Sequence, residues 1–267
     1  MVVKNVELPE YSVLMSVYAG EKPEHLRTSI ESMLSQTYVT NDFVLVCDGK
    51  LTKELDEVVD YYEENYECFH PIRLKENVGT GRCANRGIDA CKNEYIVKMD
   101  SDDIAKPDRC ERSLYGAYID EFDSQTGEVI ATKKTPLTNK EIHKYARRRN
   151  PFNNQTLVYK KSRALSVGGY SNIKRCEDYE FVVKMLADGA RGINLDKTLV
   201  MYRVTANNYE RRRNWANTKS FVNVRWKIFR MGYSNLWDFI VPCTFQFFIF
   251  IMPKSLTGKI YKRFLRG

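Results

Sequence analysis

Short apolar runs alternate with amphipathic stretches through the first hundred residues. SVLMSV (12–17), FVLVC (43–47), PIRL (71–74) and YIVKM (95–99) have strand length and are bounded by polar or turn residues. Between them the apolar positions change to a helical period. Leu26, Ile30, Met33 and Leu34 follow Pro23, which suits a first helical turn; Leu55, Val58, Val59 and Tyr62 mark a second helix; Ala84, Gly87, Ile88 and Cys91 follow Asn77-Val78-Gly79. This order predicts right-handed crossovers and an α/β fold, a mostly parallel sheet flanked by helices on both faces. Ligands of such sheets bind in the crevice beyond the carboxyl ends of the strands. There the sequence puts Tyr18, Asp48, Asn77, and then Asp100, Asp102 and Asp103.

After residue 110 the pattern changes. Strand-like segments occur at GAYIDEF (116–122), EVIATKK (128–134) and QTLVYKK (155–161). A turn at Gly168-Gly169-Tyr170 precedes Glu177-Asp178, which opens a helix with Phe181, Val182, Met185 and Leu186 inward; LVMYRV (199–204) is the last strand signal. FVNVRWKIFRMG (221–232) has the pattern of an amphipathic helix. LWDFIVPCTFQFFIFIM (236–252) is apolar but holds Asp238, Pro242 and Gln246, and is at the lower length limit for a membrane span. We therefore divide the chain into an α/β catalytic domain, 1–205, and a helical, basic and aromatic extension, 206–267. The extension is expected to lie on an anionic membrane surface; the alternative is a helical cap packed on the domain.

Composition narrows the setting. Of 267 residues 43% are hydrophobic, enough for a sizeable core, and 28% are charged, which excludes a wholly membrane-embedded chain. The net charge of +8 is uneven: Arg147, Arg148 and Arg149 form one cluster, Arg211, Arg212 and Arg213 a second, and 254–266 is basic without an acid. Such an excess suits phosphorylated substrates or anionic lipid. No zinc-finger, RNP or helix-turn-helix pattern is present, so nucleic acid is not an expected partner. The first residues lack a signal-peptide pattern, being interrupted by Lys4 and Glu7, and the seven cysteines include no CxxC pair. Both point to a cytoplasmic protein, peripheral on the inner face of the cytoplasmic membrane, with Cys47, Cys83 and Cys91 as core residues.

The candidate chemistry centres on VKMDSDD (97–103), where an apolar strand runs into three carboxylates. Like charges so close need a cationic partner. Two hard oxygen ligands, Asp100 and Asp102, suit Mg²⁺ or Mn²⁺ bridging to substrate phosphates. If this stretch is extended, Asp100 and Asp102 fall on one side and Ser101 on the other. The competing readings are a solvated acidic turn capping the next helix, a simple turn role for Asp48 before Gly49, and helix-dipole complementation by Glu177 and Asp178.

Taken in order, VLMSVYAGEKPEHLRTSIESMLSQTY, FVLVCDG, NVGTGRCANRGI, YIVKMDSDDIAKPDR, NPFNNQTLVYKKSRALSVGGY and CEDYEFVVKM resemble the family-2 glycosyltransferases of GT-A fold. The resemblance is especially to bacterial enzymes that build capsule, lipopolysaccharide and related surface polysaccharides. The resemblance covers about residues 10 to 205. It implies that Tyr18 and the backbone around Val17 cradle the nucleotide base, and that Asp48 accepts a hydrogen bond from uracil. Asn77 is a further donor contact, and Arg82 lies near the base or diphosphate. Asp100 would contact the ribose or a metal-bound water, and Asp102 would ligate the metal. Gly169, Tyr170 and Glu177 would line the sugar site, with Asp178 as catalytic base. The implied reaction is inverting, metal-dependent transfer of a single sugar from a nucleotide sugar, UDP-linked, to a hydroxyl of a glycan or lipid-linked acceptor. Two other classes compete. A sugar-phosphate nucleotidyltransferase would need a Gly-rich basic loop after the first strand, which VYAGEKPEHL is not. A non-catalytic carbohydrate or membrane-binding module would have no use for the four aspartates.

The sequence departs from the family at three points. Val204-Thr205 stands where many relatives carry a metal-binding His after Tyr-Arg. About a dozen residues separate Asp103 from GAYIDEF, which predicts a truncated helix there. The Gln-x-x-Arg-Trp pattern of processive polymerases is absent, with ERRRNW (210–215) only an echo.

Overall fold

The computed structural model describes residues 9–111, 116–204 and 215–251. Thr205, the arginines 211 to 213 and the basic run 254–266 lie outside the described residues, as does most of ERRRNW.

Four parallel strands form the centre: β1 (Tyr11–Val17), β2 (Asp42–Cys47), β3 (Phe69–Arg73) and β4 (Tyr95–Asp100), in the order β3-β2-β1-β4. Val13 of β1 stands level with Phe43 of β2 and Val97 of β4. The crossovers are α1 (Pro23–Leu34), α2 (Lys53–Asn65) and α3 (Thr80–Ala90). Pro23 opens α1, and the Thr52 hydroxyl accepts from Leu55 N at 3.3 Å to cap α2. These are the elements that the hydrophobic periodicity predicts, and the observed α/β architecture agrees with the expected one.

The sheet is buried on both faces, so its strands read as nearly continuous apolar runs. Val13, Met15, Phe43, Leu45, Val97 and Met99 pack with Leu26, Ile30 and Met33 of α1 and Leu55, Val58 and Val59 of α2. Leu14, Val44, Val46 and Ile96 face the other way, onto Ala84 and Ile88 of α3 and Phe181, Val182 and Val183 of α6 (Glu177–Ala187).

The strand signals at 116–122, 128–134, 155–161 and 199–204 all hold strands, but their assembly into a second sheet, the short strand at 104–105 and the helices at 139–146 and 161–166 were not anticipated from the sequence. β8 (Val158–Lys160) adds antiparallel to β4 and is followed at once by α5 (Lys161–Ser166), so only part of QTLVYKK is strand. A second sheet has the order β5-β9-β6-β7, built from β5 (Ile104–Ala105), β6 (Gly116–Asp123), β7 (Val129–Lys133) and β9 (Asn194–Val204). Helix α4 (Asn139–Ala146) opens with a capping box between Thr138 and Glu141. Within the expected truncated stretch, the described residues hold one 3-10 turn, Arg109–Glu111. β4 ends at Asp100 and β5 starts at Ile104, so the acidic cluster is the corner where the chain leaves one sheet for the other.

The C-terminal helices α7 (Trp215–Arg230) and α8 (Leu236–Ile251) pack on each other, and α7 packs on α6. Val224 and Ile228 enter the core beside α6. Asp238, 4% exposed, bridges Arg147 at 2.7 Å and Arg148 at 2.6 Å. Lys227 pairs with Glu180 at 3.1 Å, and Arg225 donates to the Arg148 carbonyl at 2.9 Å.

Gly87 shows how closely α3 sits on the sheet. A Cβ there would lie 2.0 Å from Leu14 Cδ1 and 3.1 Å from Val46 Cγ2. Alanine favours a helix over glycine by about 1 kcal/mol, but overpacking a core commonly costs about 1–3 kcal/mol. Gly87→Ala is therefore expected to lower unfolding free energy by about 1 kcal/mol or more in urea titration; an unchanged or raised midpoint would mean α3 is free to shift.

Candidate active site

The strand ends deliver their polar groups to one edge, as expected. After β1, Val17 O accepts from Asp48 N at 2.7 Å, and Tyr18 stands 44% exposed at the mouth. Glu21 follows in the same turn, its backbone N–H bonded to Tyr18 O at 3.0 Å. After β2, Asp48 is 8% exposed. Its Oδ1 accepts from Val78 N at 2.7 Å and its Oδ2 from Gly79 N at 3.2 Å, while Asn77 Nδ2 reaches the Asp48 carbonyl at 3.2 Å. Asp48 thus shapes the loop that opens α3, and what its oxygens have left for a ligand is their second lone pairs. Arg82 is exposed in the first turn of α3.

The acidic corner is more crowded than its sequence suggests. Asp100 ends β4 and the turn begins at Ser101 and Asp102, so Asp100 and Asp102 are related by the bend of the chain rather than by strand alternation. Asp103 is wholly buried: Oδ1 accepts from Arg203 N at 2.9 Å, and Oδ2 has no hydrogen-bond partner among the described residues. Arg203 Nε also binds the Asp102 carbonyl at 2.8 Å. The Ser101 hydroxyl donates to Glu21 Oε2 at 3.2 Å. Burial, then the charges of Asp100 and Glu21, push the Asp102 carboxyl up to about 7, and burial holds Asp103 well above the carboxylate range.

Two buried cations back this corner. Lys98 Nζ is 2.6 Å from Asp100 Oδ1. Arg109, 4% exposed, donates to the carbonyls of Lys98 and Gln155 and to Met99 Sδ. Like-charged hard oxygens confined with part of their charge uncompensated form a donor set that fits a divalent cation. Among the described residues no three His, Cys, Asp or Glu side chains converge into a complete cage. The fit is therefore to an ion carried by one or two carboxylates and by substrate.

Opposite stands the N-terminus of α6. Cys176 precedes it at φ 63°, the one non-glycine residue with positive φ among the described residues. Such a backbone costs about 1 kcal/mol or more and occurs where the surrounding structure over-determines it. It turns Glu177 and Asp178 into the first helical positions, where the helix dipole favours acids. Asp178 Oδ2 accepts from Asn150 Nδ2 at 2.9 Å. Burial, then Asp178, raise Glu177 to about 7, with Lys98 opposing the rise. Charges on both Asp178 and Asp100 act on the buried Tyr170 hydroxyl, so both carboxylates lie in its neighbourhood.

Gly169 and Tyr170 serve that neighbourhood through their backbone. Asn85 clasps the Tyr170 peptide, accepting from its N–H at 2.7 Å and donating to its carbonyl at 2.8 Å. Gly169 sits at φ 63°, and a Cβ there would meet Asn85 Oδ1 at 2.4 Å. The Tyr170 ring stacks on Phe181 at 4.0 Å in the core, which is not where a sugar-lining side chain is expected.

Glu21, Lys98, Arg109, Asn150 and Arg203 belong to the site without having been singled out as site residues. A signal existed for Lys98, the lone charge inside the apolar run YIVKM. Asn150 and Arg109 lie inside quoted motifs but carry no chemistry of their own that would mark them.

Glu177 yields a pH-dependent expectation. Its carboxyl is raised from 4.5 to about 7, so the folded protein keeps a proton there that the unfolded chain releases. Stability from this group is full below pH 4.5 and is lost as pH rises to about 7. Glu177→Gln is neutral throughout. Without divalent cation, the melting temperature of the variant minus that of the parent should grow by about 2 °C or more from pH 5 to pH 8. A difference that stays flat would show that the carboxyl titrates normally.

The model of glycosyl transferase family 2 matches residues 12–175. A UDP-Gal:alpha-D-GlcNAc-diphosphoundecaprenol beta-1,3-galactosyltransferase of Escherichia coli is 31% identical, over 97% of this chain and 98% of that protein. The amylovoran biosynthesis glycosyltransferase AmsE of Erwinia amylovora is 31% identical over 94% and 96%. Among solved structures, a mannosyltransferase of Pyrobaculum calidifontis in complex with GDP-Man and Mn²⁺ superposes with a TM-score of 0.63 at 14% identity, covering 84% of this chain and 65% of that one. S. aureus TarS 1-349 in complex with UDP-GlcNAc gives 0.61 at 16%, over 96% and 71%. Neither a nucleotidyltransferase nor a non-catalytic module accounts for these likenesses as well as a transferase does. The chain belongs to glycosyl transferase family 2, has the GT-A fold, and is a glycosyltransferase.

Proposed function

We propose that this protein is an inverting, divalent-cation-dependent transferase. It moves one sugar from a UDP-sugar to a hydroxyl of a lipid-linked glycan acceptor in bacterial surface-polysaccharide biosynthesis. The observation that carries this reading is that Asp100, next to Asp102 at the sheet corner, and Asp178 on α6 both act on the same buried Tyr170 hydroxyl, which puts two acidic groups in one neighbourhood. In this reading Val17, Tyr18, Asp48, Asn77 and Arg82 frame the nucleotide, and Gly169, Tyr170 and Glu177 bound the sugar. Asp102, helped by Asp100, holds Mg²⁺ or Mn²⁺. Held there, such an ion would supply positive charge to the departing diphosphate. Asp178 takes the proton of the attacking hydroxyl, and Asn150 holds the carboxylate in place for it. One base on the face opposite the leaving group gives a single displacement and inversion. The diphosphoundecaprenol acceptor in the name of the E. coli relative favours a lipid-linked acceptor here.

The test is calorimetry with UDP and Mn²⁺, followed by turnover with a panel of UDP-sugars. The parent should bind UDP–Mn²⁺, and Asp102→Ala should lose that binding. Asp178→Asn should bind as the parent does but turn over about 10²-fold or more slowly, the usual scale for a lost general base. Parent-like turnover in Asp178→Asn would move the base to Glu177.

The second part of the proposal is that the 206–267 unit holds the enzyme on the inner face of the cytoplasmic membrane. Among the described residues no helix is long and apolar enough to cross a membrane. α8 docks by Asp238, Cys243 and Gln246, whose amide reaches Thr218 at 3.3 Å. Its other face carries Trp237, Ile240, Val241 and Phe248, exposed and at helical spacing. That supports a helix lying in the interface with apolar side chains in the lipid. Removing everything after 232 would also strip Asp238 from Arg147 and Arg148, so substitutions on the open face are the cleaner probe. The full chain should float with anionic liposomes, and salt should weaken this only in part, because screening spares the apolar contribution. Trp237→Ser with Val241→Ser and Phe248→Ser should reduce flotation while cooperative melting persists. Undiminished flotation of that variant would sink the assignment.

A further inference from the structure

Lys98 has no part in the reaction as described, yet it is built into the centre of the site. Its ammonium is 4% exposed, while the Asp100 carboxylate it pairs with at 2.6 Å is 32% exposed. The strand around it is clamped: Lys98 N donates to Leu157 O at 3.0 Å, and its carbonyl accepts from Arg109. The same ammonium acts on Glu177. Residue 98 also shares its strand face with Ile96, in register with Leu14 of β1. An apolar residue there would extend that face without desolvating a charge. A buried ammonium is expensive unless its partners compensate it, and replacing such a pair with apolar groups is often neutral or stabilising. Packing alone therefore gives no reason for a lysine at this position.

Its charge has opposite consequences for the two ligands of the corner. One oxygen of Asp100 is already committed to Nζ. A fixed positive charge at ion-pair distance from a ligating carboxylate repels a free divalent cation and attracts a diphosphate. Arg109 and Arg203 add to this from behind and beside, against Glu21, Asp100, Asp102 and Asp103. We propose that Lys98 is a counter-cation that keeps free metal out of the acidic corner, so that the divalent ion is held only together with the nucleotide's diphosphate. Donor would then enter as its metal complex, and the nucleoside diphosphate would leave with the ion. Lys98 acts through Asp100 and is a positioning residue. The inference rests on the reading that Asp100 and Asp102 bind a cation–diphosphate pair.

The test is calorimetry on the full chain with three probes: Mn²⁺ alone, UDP alone in chelator, and UDP with Mn²⁺. The parent should bind UDP–Mn²⁺ well and Mn²⁺ alone poorly. In Lys98→Met, affinity for Mn²⁺ alone should rise about tenfold or more, and affinity for UDP alone should fall by a similar factor. Lys98→Arg keeps the charge and should behave as the parent in both. Lys98→Gln, neutral and polar, repeats the measurement if the Met variant does not melt cooperatively. Unchanged Mn²⁺ affinity in a neutral variant that melts cooperatively would overturn the proposal. So would weakened Mn²⁺ affinity, which would mean that Lys98 merely props Asp100. Failure of the parent to bind UDP–Mn²⁺ would instead overturn the metal-site reading, and this inference with it.

Discussion

The structure depends on holding acids together at the corner where the chain passes from the parallel sheet to the second sheet. Glu21, Asp100, Asp102 and Asp103 come from two strand ends and one turn, and burial leaves water little room to screen them. The protein compensates from its own stock first. Arg109 is buried beneath, Lys98 is paired with Asp100, and Arg203 binds the turn through both backbone and side chain. Asp102 nonetheless stays near 7, so the balance is left incomplete. That deficit is what the proposed cation, arriving with its substrate, would fill.

α3 and the turn at Gly169 and Tyr170 fix how the chain enters α6. α3 sits against β1 and β2 at Gly87, and its N-terminus reaches the Gly169 turn, where a Cβ on Gly81 would lie 3.0 Å from Ser171 O. Asn85 ties that turn to α3, while Cys176 bends the chain into α6. The Tyr170 ring, buried against Phe181, anchors the turn from inside. Positions that touch no ligand thus decide where Glu177 and Asp178 point.

The C-terminal helices join this frame as well as presenting an apolar face. Along α6, Asp178 binds Asn150, Tyr179 donates to Ala146 O at 2.7 Å, and Glu180 pairs with Lys227. Along 147 and 148, two arginines reach Asp238 of α8. A helical cap and a membrane-facing helix are consequently not alternatives for α8. Its two faces are different surfaces, and the docked one is built with ion pairs.

The sequence by itself determined the parallel core and the edge at which its strand ends gather their polar groups. Hydrophobic periodicity is a local property, and right-handed crossovers leave few ways to assemble four such strands. Tyr18, Asp48, Asn77 and the aspartates of VKMDSDD could be placed at one edge from the sequence because strand ends in this topology converge. Only the tertiary structure decided how those residues are held. Asp48 shapes the loop before α3, the Tyr170 ring belongs to the core, and Asp100 and Asp102 are related by the bend of the chain. The pairing of Asn150 with Asp178 and the enclosure of Lys98 and Arg109 were likewise hidden. Each spans a long stretch of chain, and the worth of a buried charge depends on neighbours that no local pattern records.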